Sequence, residues 1–192
     1  MHRLLVIALL TASCSDSRAA APPAQPAEQG FSASQAEPYF TTGKAGQAAA
    51  AFALGQWREA RDLFTELHSS PQMASNAEMR ARVEYLIALC DSRLGHHALA
   101  AATFDIAAKL LPILADYAYY EAARSYYFAR DLANASERVG KISSDSVLDP
   151  DRRLLEADIL RAEQKWNDLV EAYENYLMTY PRGIRRAETR YR

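Results

Sequence analysis

Residues 55–71 read GQWREARDLFTELHSSP, and this stretch decides the fold. Gly55 stands at a turn, Trp57 follows it, Ala60 leaves room for close approach, Phe64 and Leu67 plug the neighbouring hairpin, and Pro71 ends the unit. The spacing returns three times. Gly95, His97, Ala100, Phe104, Ala107 and Pro112 fill the same places. Arg130, Leu132, Ala135, Val139 and Ile142 follow, and Gln164, Trp166, Leu169, Tyr173, Tyr176 and Pro181 complete the set. Apolar residues every three or four positions around each turn predict paired helices.

From turn to turn the steps are 40, 35 and 34 residues. The last two sit at the period of a tetratricopeptide repeat, in which each hairpin buries its apolar face against the next. The expected fold class is all-α, a tetratricopeptide-like α-solenoid of antiparallel hairpins over residues 44–192, about four and a half repeats. Glycine is scarce, at 7, and no run alternates like a strand, so nothing competes with helix. The formal charge of −2 gives no bulk electrostatic reason for a nucleic-acid partner. Basic residues do gather after Pro181, at Arg182, Arg185, Arg186, Arg190 and Arg192. They read as the solvated face of a further first helix, residues 184–192, with contact to an anionic surface as the other reading.

Residues 1–13 read as an export signal: His2-Arg3, an apolar run over residues 4–10, then Thr11-Ala12-Ser13 before Cys14. The run is too short to span a bilayer. A small-residue stretch ending in cysteine resembles the bacterial lipoprotein box, with Thr11 where that family usually has Leu. The resemblance implies that Cys14 becomes a lipid-bearing N-terminus and a membrane contact. An ordinary secretory signal with an incidental cysteine is the alternative. Ser15 after the cysteine implies, by the same resemblance, the outer membrane. Residues 14–43 form an Ala/Pro-rich tether, too poor in apolar residues to fold alone and with a reach of about 30 Å.

The expected helices are residues 45–54, 57–68, 75–94, 97–111, 113–129, 132–142, 150–160 and 167–180. Asp149 is expected as an N-cap with Pro150 at the first helical position. In the third hairpin Tyr117, Tyr120, Tyr127 and Phe128 are expected to form an apolar inner face, while Tyr119 and Tyr126, seven apart on a displaced stripe, are the candidates for an exposed groove, with burial as the preferred reading for the tyrosines. Trp57 and Trp166 are expected as wedges between the helices of their hairpins. Cys90 reads as a small buried hydrophobe with no disulfide partner.

Nothing in the chain has the spacing that catalysis or metal binding needs: there is no phosphate loop, nucleophile elbow or spaced Cys/His cluster. His96 and His97 are adjacent, so they point about 100° apart on a helix rather than at one ion. No catalytic residue, metal or cofactor is expected.

The run Leu110-Leu111-Pro112-Ile113-Leu114-Ala115-Asp116-Tyr117-Ala118-Tyr119-Tyr120, then Ser143-Ser144-Asp145-Ser146 and Tyr173 to Tyr180-Pro181, is more specific. It resembles the superhelical N-terminal region of periplasmic soluble lytic murein transglycosylases over residues 45–192. The resemblance implies a substrate-holding arm for peptidoglycan. The Glu-Ser pair of that family's lysozyme-like domain is absent from this sequence, so no catalytic role carries over. The alternative is an envelope lipoprotein of the outer-membrane-assembly or cell-division kind, which it also resembles and whose concave face binds protein partners.

Overall fold

The computed structural model describes residues 40–181. The expected export signal, Cys14, most of the expected tether and the arginine-rich segment after Pro181 lie outside the described residues. Among the described residues the chain is helical and carries no strand. Eight helices run in order: α1 (Gly43–Ala53), α2 (Trp57–His68), α3 (Ala77–Arg93), α4 (His97–Leu110), α5 (Ala115–Phe128), α6 (Leu132–Val139), α7 (Asp149–Ala162) and α8 (Trp166–Thr179). Two short turns precede first helices, an α-helical one at Pro71–Ala74 and a 3-10 one at Pro112–Leu114. Pro71 and Pro112 each open such a turn, where the missing N–H costs nothing. The turn at Pro71–Ala74 and the 17 residues of α3, against 14 in α5, together lengthen the first step to 40 residues.

All four hairpin turns use one local device. Gly55, Gly95, Arg130 and Gln164 have φ of 73°, 85°, 65° and 61°. Around Gly55, its own N–H donates to the Phe52 carbonyl at 3.0 Å and the Gln56 N–H donates to the Ala51 carbonyl at 2.9 Å. The paired bonds recur from Gly95 to Ser92 and His96 to Asp91, from Arg130 to Tyr127 and Asp131 to Tyr126, and from Gln164 to Arg161 and Lys165 to Leu160. This is the Schellman closure, which satisfies the last carbonyls of a helix through one left-handed residue. The turn positions expected from the sequence are therefore structurally equivalent.

Small residues let the two helices of a hairpin meet. Seven positions before each turn residue stand Ala48, Ala88, Ala123 and Ala157, all fully buried. Five positions after it stand Ala60, Ala100 and Ala135, also fully buried, with Leu169 in the fourth hairpin. Ala48 and Ala60, Ala88 and Ala100, and Ala123 and Ala135 share an apolar cluster pair by pair. Phe64, Phe104 and Val139 then fill the next layer. Phe40, at the start of the described chain, packs edge-on against Phe64 with centroids 6.0 Å apart.

Each helix packs on its neighbours in sequence, and first helices of successive hairpins also touch, α3 with α5 and α5 with α7. Polar clasps lie between hairpins. The Arg61 Nε donates to Asp91 at 2.6 Å, and the His96 Nδ1 lies 2.9 Å from the same buried carboxylate. His68 Nε2 meets Glu84 at 2.8 Å. Cys90 is buried and unpaired, and burial first, then the Asp91 charge, pushes its thiol up to about 11.

Two expectations need correction here. Asp149 is the first residue of α7 rather than its cap, and its carboxylate is buried. It accepts from Arg153 Nε at 2.7 Å, from Arg152, and from the Tyr180 hydroxyl at 2.5 Å, so it ties the two ends of the fourth hairpin together. Trp166 is 57% exposed and is no wedge, whereas Trp57 is half-buried, edge-on to Phe52 at 5.2 Å. Trp57 has the Arg93 guanidinium of the next hairpin 5.7 Å above its ring; no described helix stands over Trp166 in that way.

Candidate ligand slot between the third and fourth hairpins

The core side of α5 is set by its small residues, Ala118, Ala122, Ala123 and Ser125, all buried. That choice turns the large rings elsewhere. Tyr117 is 44% and Phe128 52% exposed. Tyr120, Arg124, Tyr127 and Phe128 line one wall of a cavity of about 390 Å³, and Asp151, Leu154, Leu155 and Asp158 of α7 line the other. Tyr120 and Tyr127 are seven residues apart, as are Asp151 and Asp158, so each wall presents two turns of one helix face.

Arg124 is fixed on this wall. Its Nη1 donates to both Glu121 carboxylate oxygens, at 3.1 and 3.0 Å, and its guanidinium lies 5.8 Å from the Tyr120 ring centre. Phe128 is held at its back by the His97 ring, stacked at 5.2 Å and 30°. His97 thus has the packing role that its place in the repeat implied. On the opposite wall Asp158 pairs with Arg161 along α7. The floor is apolar, from Leu154 and Leu155, which are themselves buried.

The groove tyrosines expected from the sequence are on other faces. Tyr126 is half-buried, its hydroxyl donates to Asp105 at 2.9 Å, and Arg138 lies 5.4 Å over its ring. Burial foremost, then the bond to Asp105, holds its hydroxyl above the ordinary tyrosine value. Tyr119 is half-buried under the Lys141 ammonium at 5.6 Å, on the α6 side. Tyr120 and Tyr127, expected to face inward, are partly buried and pack against the cluster of Ala123, Ala135, Val139, Leu155 and Ile159, and their remaining surface lines the slot. Of the repeat positions, Gly55, Ala60, Phe64, Gly95, Ala100 and Phe104 do what their register required; Tyr173 is only half-buried and Pro181 closes the described chain.

Chemically the slot offers contact surface: ring faces and edges for C–H groups, and a guanidinium and two carboxylates for polar ones. Among the described residues no three His, Cys, Asp or Glu side chains converge as a metal site, and no helix is long and apolar enough to cross a membrane. Neither a protein-family model nor a curated protein matches the sequence.

Proposed function

We propose that this chain is a non-catalytic binding module of the bacterial cell envelope, a tetratricopeptide-like solenoid that holds an extended ligand segment between its third and fourth hairpins. The slot carries this reading: two tyrosines and a phenylalanine face two carboxylates across a cavity of about 390 Å³. The four identical Schellman turns and the paired alanines support the repeat assignment. The envelope placement rests on the signal-like start and Cys14, which anchors the chain through lipid, at the outer membrane by its Ser15 neighbour. Exchanging Cys14→Ser is expected to move the protein from the membrane fraction to the soluble one.

The ligand of this reading is peptidoglycan, with the chain acting as the substrate-holding arm of a lytic-transglycosylase-like protein. Its support is the resemblance of residues 110–120, which end on the slot residue Tyr120. Purified protein should be retained on insoluble murein sacculi without clearing them. Because Tyr120 and Tyr127 also pack on the core, Tyr120→Ala with Tyr127→Ala should lower the melting temperature somewhat and, at a temperature where circular dichroism shows the variant folded, should abolish retention. Failure of the parent protein to be retained sinks the peptidoglycan reading. The mixed charge of Arg124, Asp151 and Asp158 supports the second reading, a segment of an envelope protein partner. Clearing of the sacculi would overturn the non-catalytic assignment.

A further inference from the structure

The solvent face of α4 breaks the pattern that the other second helices share. Four, seven and eleven positions after the turn residue, the first hairpin carries Glu59, Asp62 and Glu66, the third Asn134, Glu137 and Lys141, and the fourth Asp168, Glu171 and Asn175. The second hairpin carries Leu99, Ala102 and Ile106 there, all exposed. Leu110 and Ile113 extend the run: Leu99, Ile106 and Leu110 stand about half exposed and Ile113 is 76% exposed. Leu110 and Ile113 also line a cavity of about 510 Å³ with Ala77, Glu78, Leu111 and Pro112. The core side of α4 is already supplied by Ala100, Ala101, Phe104, Ala107 and Ala108. The fold of one chain makes no use of this second apolar face.

We propose that this stripe is the seam of a two-fold dimer, in which α4 of one copy lies antiparallel on α4 of a second. The stripe is symmetric about Ile106: Ala102 and Leu110 lie four residues to either side, and Leu99 and Ile113 lie seven. A two-fold axis through Ile106 therefore sets Ile106 against its own counterpart, Leu110 against Ala102, and Leu99 against Ile113. Every apolar side chain meets an apolar one, and Leu99 enters the cavity beside Ile113. Lys109, the exposed charge of this helix, falls opposite Thr103 and not opposite a second lysine. A different partner would impose no such symmetry. The area fits as well. The five side chains leave roughly 450 Å² open, as much as the largest apolar patch of an ordinary monomer. Two copies, with the flanking Ala98, Thr103 and Lys109, bury roughly 1,200 Å², the lower limit of a specific interface. The dimer is therefore weak and dissociates in the micromolar range.

Sedimentation velocity on the full chain tests this. The average mass should climb toward twice that of one chain as the concentration rises from about 1 to about 100 µM. Ile106→Glu should stay monomeric across that range while keeping the parent's circular dichroism, because the side chain lies outside the core. Leu99→Glu should do the same. Adding Ile113→Lys to it should restore the dimer, since the two positions are about 21 Å apart along one chain and meet only across the axis. A parent that stays monomeric overturns the proposal and leaves the stripe to another partner. A dimer that survives Ile106→Glu, or a double variant that stays monomeric, also overturns it.

Discussion

Arg138 of α6 grips Asp105 of α4 with two parallel bonds, Nε to Oδ1 at 2.7 Å and Nη2 to Oδ2 at 2.8 Å. The pair joins the second and third hairpins and is largely buried, at 14% and 15% side-chain exposure. Tyr126 donates to the same carboxylate and lies under the same guanidinium. Asp105 holds the Arg138 pKa above its ordinary value, against the burial that lowers it. Replacing Asp105→Ala leaves the Tyr126 hydroxyl without this acceptor and the guanidinium with only Glu137, at 2.7 Å, and Asn134. Urea unfolding should show a loss of about 3 kcal/mol. Arg138→Lys should recover only part of it, since an ammonium cannot form the fork. A loss below about 1 kcal/mol for Asp105→Ala would mean the clasp is dispensable.

Two of the four turns carry side chains in a left-handed conformation. Arg130→Gly and Gln164→Gly should each stabilise the protein by about 1 kcal/mol, or roughly 2–4 °C in melting temperature. The reverse exchange, Gly95→Ala, meets no atom within 4 Å. Its cost is therefore purely conformational and should be of similar size. Calorimetry decides whether both signs appear.

The Asp149 carboxylate makes stability depend on acidity. Burial acts first, to raise its pKa, and the bonds from Tyr180, Arg153 and Arg152 outweigh it, so the carboxyl lies below its ordinary value. Tyr180, donating to it, lies above its own. A folded pKa below the unfolded one stabilises the native state fully above the unfolded value, and the contribution fades as pH falls through the folded value. Asp149→Asn should therefore lower the melting temperature clearly near pH 7 and much less near pH 2.5. An equal deficit at both pH values would show that the side chain acts by shape alone.

Close approach at the alanines is rigid. Ala123→Leu should cost about 1–3 kcal/mol by overpacking against Ala135, and Ala60→Trp should cost more. Circular dichroism melts that match the parent would disprove the register.

Turn positions were legible because one left-handed residue at a recurring spacing sets every hairpin. The paired alanines after the turns were legible too. Those before the turns were not, because in α1, Gly43–Ala53, six residues are alanine and one more stands out from nothing. Tyr119/Tyr126 and Tyr120/Tyr127 have the same spacing, and periodicity cannot choose between them. Ala118, Ala122 and Ala123 could have chosen, since small residues mark the side that touches a neighbouring helix. Asp149 looked like a cap because Asp-Pro is a local signal, whereas Tyr180, 31 residues on, is what buries it. Trp166 shares its register with Trp57, but the neighbour that covers Trp57 comes from the following hairpin.

The brevity of α6, only eight residues, bears on what a bound ligand would do. The fourth hairpin leans on a two-turn helix and on α5, and it should be the first to swing away on heating. The slot straddles that seam, with Tyr120 and Tyr127 on one lip and Asp151 and Asp158 on the other. Whatever lodges there acts as a stitch, so occupancy and the order of the last hairpin rise together.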